Sequence, residues 1–183
     1  MTLGNGVEPA SARPPRPAPA PHAGLARRFA ALLYEALLFV ALVFIASFLL
    51  TPIVSPGTAA SGTLVVPTLG GRLVSLVALF AIAAAFYAWC WSEGRRTLPM
   101  KTWRLALVTE RGEAVPRAQA FVRYLAAWIG PLLALVAYIA LSPIGLGALA
   151  WPLFFVNWLA AFVDPERRFL HDRIARTRIV PST

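Results

Sequence analysis

Four long apolar stretches dominate the pattern of hydrophobic and polar positions along the chain. They cover residues 29–50, 73–91, 119–141 and 144–163. A helix that crosses the hydrocarbon core of a membrane needs roughly 20 mostly apolar residues, because it rises about 1.5 Å per residue. The first two stretches meet this requirement directly. The pattern therefore predicts an all-α, polytopic membrane protein with about four transmembrane helices.

The connection between the third and fourth stretches is very short, since only Leu141-Ser142-Pro143 separates them. Such a connection predicts a tight turn and a helical hairpin at the C-terminal end of the membrane domain. A re-entrant pair, which enters and leaves the membrane on one side, is the alternative. Gly130-Pro131 lies within the third stretch and is expected to break that helix.

Basic residues are distributed unequally around these stretches. Of the 17 Lys and Arg residues, four precede the first stretch, seven lie in or beside the loop Glu93–Ala118, and five follow Asp164. Arg72 alone adjoins the segment Thr51–Gly71, which is otherwise uncharged. Because Lys and Arg are enriched in cytoplasmic loops, both termini and the loop Glu93–Ala118 are predicted to be cytoplasmic. We expect a multi-pass protein of the bacterial cytoplasmic (inner) membrane, with Thr51–Gly71 outside.

Composition agrees with a membrane environment. Apolar residues make up 58% of the chain and charged residues 14%, against roughly 45–50% and 25% in globular domains. The net charge of +9 would suggest nucleic-acid binding in a soluble protein, but no DNA- or RNA-binding motif accompanies it. The basic residues lie beside apolar stretches, where anionic lipid headgroups attract them. The expected partner is therefore a bilayer with anionic headgroups, and no nucleic acid.

The chain divides into a membrane domain and two flanking tails. Residues 1–25 are rich in Pro and Arg and are predicted to form a disordered cytoplasmic tail. The membrane domain covers 26–180, and its end overlaps a basic cytoplasmic tail, 164–183, most of which is expected to be solvated or to lie on anionic lipid. Between the second and third stretches, Thr102–Thr109 is predicted to be a short strand or an interfacial segment.

The residue patterns of soluble enzymes are missing. Cys90 is the only cysteine, so an intrachain disulfide is impossible, and two histidines are too few for a confident metal site. The sequence has no glycine-rich phosphate loop and no nucleophile elbow. We therefore expect no enzymatic activity, no cofactor and no metal.

Glu35 is the one charged residue inside the first apolar stretch. It follows Arg28 by seven residues, which places it on the same helix face and about 10 Å deeper. A carboxylate at that depth must pair with a cation, face water or bind a proton. Two interpretations remain open: a proton- or cation-binding carboxylate, or a structural ion pair for which Arg123 is best placed. Asp172, next to His171, is expected to join this network through Arg28.

Three segments share a pattern with a known family. Residues 26–35 read ARRFAALLYE, residues 93–105 read EGRRTLPMKTWRL and residues 164–180 read DPERRFLHDRIARTRIV. In this combination the chain resembles the RDD family of bacterial membrane proteins, which is named for an arginine and two aspartates. The resemblance extends from about residue 24 to about residue 180.

The resemblance assigns Arg28 to the family's arginine, Glu35 to its first aspartate and Asp172 to its second. Glutamate at the first position keeps the charge and lengthens the side chain. A second departure is Pro99, which stands where the family's loop carries a glycine. The resemblance implies a membrane protein for which transport has been suggested.

Two functions follow as hypotheses. The first is a small transporter or ion-coupled exchanger that uses an intramembrane carboxylate, with a charge network of Arg28, Glu35, Arg123 and Asp172. Four helices enclose little space, so the substrate path would run between subunits of a homo-oligomer. The alternative is a non-transporting scaffold, assembly or regulatory protein that acts through its basic loop and tail. Neither hypothesis specifies a substrate.

Overall fold

The computed structural model describes residues 23–54 and 68–182. The predictions for the tail before residue 23 and for most of the segment between the first two helices lie outside these residues. Within the described ranges the elements are, in chain order, α1 (Leu25–Val54), α2 (Leu69–Cys90), α3 (Leu98–Thr102), β1 (Leu105–Thr109), α4 (Arg117–Ala127), α5 (Ile129–Leu141), 3-10 turns at Ser142–Ile144 and Gly147–Ala150, α6 (Trp151–Phe154), α7 (Val156–Val163), α8 (Leu170–Ile174) and β2 (Thr177–Pro181).

Three helical stretches are long and apolar enough to cross a membrane. They are Leu25–Ile53, Leu69–Cys90 and Arg117–Ile144, the last formed by α4 and α5 together. Large apolar side chains on α1 face outward, and Phe44 and Phe48 are 72% and 75% exposed. Such surfaces require a lipid solvent, since soluble proteins rarely expose apolar patches of this extent. The predicted all-α, polytopic class is confirmed.

The fourth apolar stretch, predicted as one helix over 144–163, is divided into short pieces. Gly145 adopts a left-handed conformation with φ of 76° and ends the first 3-10 turn. The chain continues through Gly147–Ala150 into α6, whose second residue is Pro152, and then into α7. These pieces pack back along α5, so the two stretches still form a hairpin. Glycine at the turn and proline near a helix start explain the division.

The third stretch is interrupted at Trp128, between α4 and α5. Pro131 has no backbone N–H and cannot donate to the carbonyl four residues earlier, at Ala127. The Asn157 side chain of α7 supplies that donor, because its Nδ2 lies 2.8 Å from the Ala127 oxygen. The predicted break at Gly130-Pro131 therefore occurs just before these residues. The hydrogen bond from Asn157 to the Ala127 carbonyl also connects α7 to α4.

Gly130 allows α5 to approach α6 closely. A Cβ atom at this position would lie 2.5 Å from the carbonyl oxygen of Phe154. Atoms cannot approach to that distance without a backbone shift. The hairpin therefore depends on a residue without a side chain at this crossing.

The C-terminal segment is folded against the helices. Strands β1 and β2 are antiparallel, with Leu107 opposite Ile179 and Thr109 opposite Thr177. Strand β1 lies within the predicted strand segment, but β2 belongs to the predicted solvated tail. That expectation is wrong, because Phe169, Thr177 and Ile179 are buried. The apolar residues interspersed among the arginines of the tail fill the core beneath them. We call α3, β1, α8 and β2 the polar end of the bundle.

Pro99 is accommodated in the first turn of α3. The helix begins after Thr97, whose Oγ1 accepts a hydrogen bond of 3.4 Å from the Met100 backbone N–H. Proline is well suited to the first turn of a helix, where its missing N–H has no intrahelical partner. The departure from the family pattern therefore fits a capped helix at this position.

Candidate functional site

A buried ion pair joins α4 to α8 at the polar end. Arg123 Nε donates to Asp172 Oδ1 at 2.7 Å. The two residues are 3% and 0% exposed. At that burial a lone charge would cost several kcal/mol, so the two side chains hold each other in the charged state. Burial, the largest single influence, raises the pKa of the Asp172 carboxyl, but Arg123, His171 and Arg28 together hold this pKa below its ordinary value.

His171 adds a neutral group to this pair. Burial lowers the pKa of its imidazole to about 4, so the ring is uncharged at neutral pH. Its Nε2 lies 3.4 Å from Arg123 Nη2. A guanidinium can only donate, so Nε2 accepts and the ring proton resides on Nδ1. Arg123 is thereby fixed by two successive residues of α8.

The segment around α8 is locked in place by hydrogen bonds to its own backbone. Asp164 Oδ2 accepts from the backbone N–H groups of Glu166 and Arg168, at 3.2 and 2.9 Å. Thr177 Oγ1 donates to the Asp172 carbonyl at 3.3 Å. These bonds fix both flanks of α8 and so set the position of the Asp172 carboxylate.

Glu35 of α1 does not form an ion pair with Arg123. Its Oε1 accepts a hydrogen bond of 3.3 Å from Trp91 Nε1. Glu35 is only partly buried. The anticipated structural partner, Arg123, instead pairs with Asp172 because α8 folds back beneath α4.

Trp91 contacts both Arg123 and Glu35. The Arg123 Cζ atom lies 4.1 Å from the centroid of the Trp91 ring, a cation–π geometry. The edge of the same ring donates to Glu35. Trp91 therefore contacts Arg123 with its face and Glu35 with its N–H group.

Arg28 of α1 is also buried, at 2% exposure. Its Cζ lies 5.4 Å from the centroid of the Phe169 ring. The charges of Arg28 and Asp172 interact electrostatically, although the 2.7 Å pair of Asp172 is with Arg123. Asp172 therefore joins the charge network through a direct ion pair with Arg123, and not through Arg28 as predicted.

Sequence reasoning brought together four of the charged residues and missed the aromatic ones. Trp91 ends the second apolar stretch, yet it is only 6% exposed. Its position directly after α2 is the same as that of an interfacial tryptophan. Its spacing from Tyr87, one helical turn earlier, is the available signal, since the two rings pack at 4.5 Å. Phe169 gave no comparable signal.

Several buried polar atoms of the site have no hydrogen-bond partner in the described part of the chain. They are Asp172 Oδ2, His171 Nδ1 and Arg28 Nε. Among residues 23–54 and 68–182, no group of three or more His, Cys, Asp or Glu residues is arranged to hold a metal ion. The site is thus a network of charges and aromatic rings.

The two carboxylates of the site have different surroundings. Asp172 is held as an anion by a direct guanidinium contact. Glu35 accepts a hydrogen bond from a neutral donor, the Trp91 N–H group, and has no direct ion pair among the described residues. Asp172 is therefore tied to a neighbouring cation, whereas Glu35 contacts only a neutral donor.

Comparison with known proteins assigns the chain to a family. No curated protein matches the chain, and no solved structure matches it. The sequence pattern that defines the RDD family matches residues 22–176, which include Arg28, Glu35, Arg123 and Asp172. The chain is therefore a membrane protein that belongs to the RDD family.

Proposed function

We propose that this protein is a small membrane transporter or ion-coupled exchanger in which Glu35 binds and releases a proton or another cation. The observation that carries the proposal is the environment of Glu35. It lies within a helix long enough to span a membrane, and its carboxylate is hydrogen-bonded by Trp91 without a direct cation partner. Ionisable residues within membrane spans commonly mark ion or proton pathways.

The Arg123–Asp172 pair has a supporting role in this proposal. It connects the third spanning stretch to α8 and places a fixed positive charge behind Trp91. A buried pair of this kind is retained even when Glu35 changes its protonation state. In this proposal Glu35 exchanges the ion, and the Arg123–Asp172 pair keeps its position and its charges.

The substrate path would lie between copies of the chain. A cleft of about 270 Å³ between α5 and the 3-10 turn before α6 is lined by apolar and aromatic residues and lies away from Glu35. The outer face of α1, by contrast, is broadly exposed. A homo-oligomer would pack through this exposed face of α1.

We further propose that the polar end faces the cytoplasm of a bacterial cell, with the protein in the inner membrane. Most basic residues of the described chain lie on or beside this end. The positive-inside tendency supports this orientation, and anionic headgroups would contact the arginines.

Reconstitution in liposomes that contain a pH-sensitive dye tests the proposal. An imposed gradient of Na⁺ or K⁺ should drive proton movement by the wild-type protein. Glu35→Gln should abolish this movement, whereas Glu35→Asp, which restores the family's residue, should retain part of it. Glu113→Gln is the matched control, because Glu113 is exposed and lies outside the spans. If no cation gradient moves protons, and Glu35→Gln equals the wild type, the proposal fails.

A second candidate function is a non-transporting scaffold or regulatory protein. The observation that favours it is the pair of widely exposed arginines Arg173, in α8 of the folded polar end, and Arg117, at the start of α4. Such a surface suits an acidic partner. A double substitution Arg117→Gln/Arg173→Gln that releases a co-purifying protein would support this function, with proton movement measured in the same preparation.

A further inference from the structure

The position of Trp91 suggests a role beyond packing. Its backbone N–H is held by the Tyr87 carbonyl at 2.9 Å as it caps α2. Its ring packs on the Tyr87 ring at 4.5 Å. The ring is therefore fixed from below by α2, while its face and its edge contact residues from α4 and α1.

Arg123 and Glu35 would attract each other strongly if they touched. In an apolar environment a direct contact of guanidinium and carboxylate holds the acid in its ionised form. Arg123 uses Nε for Asp172 and Nη2 for His171. A guanidinium carries five N–H donors, so these bonds alone do not prevent it from also binding a second carboxylate. The Trp91 ring contacts both groups, Arg123 with its face and Glu35 with its N–H group, so a direct contact of the two would have to replace these contacts.

The other groups around Glu35 do not replace the ring in this role. The charged and titratable neighbours that interact with Glu35 are Arg123, Asp172, Tyr87 and Cys90. Of these only Arg123 is a cation. Separation from this one residue therefore decides whether Glu35 is locked as an anion or stays exchangeable.

We infer that Trp91 is a positioning residue that keeps Glu35 available for proton exchange by separating its carboxylate from the Arg123 guanidinium. The inference rests on the proposed function, because it assigns the device that makes its proton-binding group usable. The ring performs both parts of this task. Its face holds the cation, and its N–H group holds the carboxylate whether or not that group carries a proton.

Labelling with dicyclohexylcarbodiimide tests the inference. This reagent modifies protonated carboxyl groups in apolar surroundings and does not modify carboxylates. Glu35 is the only acidic residue of α1, so modification can be assigned by mass spectrometry of the α1 peptide. The rate is measured against pH in vesicles of reconstituted protein, and Glu35→Gln provides the zero level.

The variants form a series of decreasing side-chain size. Trp91→Phe keeps a ring between the two charges, so its labelling rate at pH 7 should stay within about threefold of the wild type. Trp91→Leu should lower the rate by about tenfold or more, since a direct guanidinium contact stabilises the ionised carboxylate by at least that factor. The double variant Trp91→Leu/Arg123→Gln lacks the cation that would pair with Glu35. Its labelling rate should therefore rise again towards that of the wild type.

Each outcome bears on the inference. Labelling by Trp91→Leu that equals the wild type overturns it, as does a double variant that labels no better than Trp91→Leu. If the double variant does not fold, the pH profile of Trp91→Leu decides. A direct ion pair displaces the labelling curve to lower pH, whereas a distorted site scales the curve equally at every pH and contradicts the inference.

The test separates this inference from the proposed function. Unchanged labelling in Trp91→Leu, together with Glu35-dependent proton movement in liposomes, rejects the role of Trp91 alone. Proton movement that survives Glu35→Gln rejects the proposed function, whatever the labelling shows.

Discussion

Arg123 Nε and Asp172 Oδ1 lie 2.7 Å apart, although 49 residues separate them along the chain. The pair is buried and connects the third spanning stretch to a five-residue helix at the end of the chain. The pair holds the Arg123 guanidinium against Trp91, and it also holds the C-terminal segment through Asp172. Both the stability of the polar end and the environment of Glu35 therefore depend on it.

Removal of one partner of this pair should be strongly destabilising. Asp172→Asn leaves the Arg123 charge buried without its counter-ion, which costs about 3–5 kcal/mol of unfolding free energy. Chemical denaturation in detergent micelles measures the loss. Glu113→Gln also removes one negative charge, at an exposed site, and should change stability by less than about 0.5 kcal/mol. Equal effects of the two substitutions would show that the pair is not a stabilising contact.

His171 should make the protein less stable in mild acid. Burial lowers the pKa of its imidazole in the folded protein from 6.5 to about 4. Between these values the unfolded chain binds a proton that the folded chain does not, so acid favours unfolding. The stability contributed by the neutral ring is present above pH 6.5 and is lost as the pH falls towards 4, by about 3 kcal/mol in total.

His171→Asn isolates this effect. The variant has no titrating group at this position, so its unfolding free energy should change less than that of the wild type between pH 6.5 and 4. Denaturation curves at several pH values give the two slopes. Parallel slopes would mean that His171 is already protonated in the folded protein.

Gly130→Ala should disturb the hairpin of α5 and α6. The added methyl group would lie 2.5 Å from the Phe154 carbonyl oxygen, a backbone atom that cannot move independently. Overpacking of this kind costs about 1–3 kcal/mol. The midpoint of thermal unfolding in detergent is the measurement.

Gly70→Ala is the matched control for that substitution. Gly70 lies in α2, and the nearest atom to its added Cβ is Thr68 Oγ1 at 4.0 Å. Alanine is the better helix former, so this variant should equal or slightly exceed the wild type in stability. A stable Gly130→Ala protein would imply that α5 and α6 are farther apart than described.

Truncation after Arg176 should prevent correct folding. It removes β2, which pairs with β1, and with it the buried side chains of Thr177, Ile179 and Val180. We expect the truncated chain to aggregate or to elute as a broadened species in size-exclusion chromatography. The control is removal of Thr183 alone, which leaves β2 intact. Partner-binding experiments therefore need surface substitutions, since deletion of this segment also removes part of the core.

The amino-acid sequence determined the membrane class and the residues to examine. Runs of about 20 apolar residues identify segments that could span a membrane, because the hydrocarbon core of a bilayer is about 30 Å thick. The cost of a charge in lipid singles out Glu35, and the resemblance to the RDD family adds Arg28 and Asp172. These conclusions depend on local composition and spacing, which are present in the chain before it folds.

Tertiary structure decided which of these residues touch. Arg123 has two candidate carboxylates in the sequence, and the folding of α8 beneath α4 selects Asp172 over Glu35. Trp91 contacts both Arg123 and Glu35 because α1, α2 and α4 meet at its ring. The burial of β2 and the division of the fourth stretch likewise depend on contacts with β1 and α5. Pairings between distant segments depend on packing in three dimensions, which hydrophobic spacing along the chain does not encode.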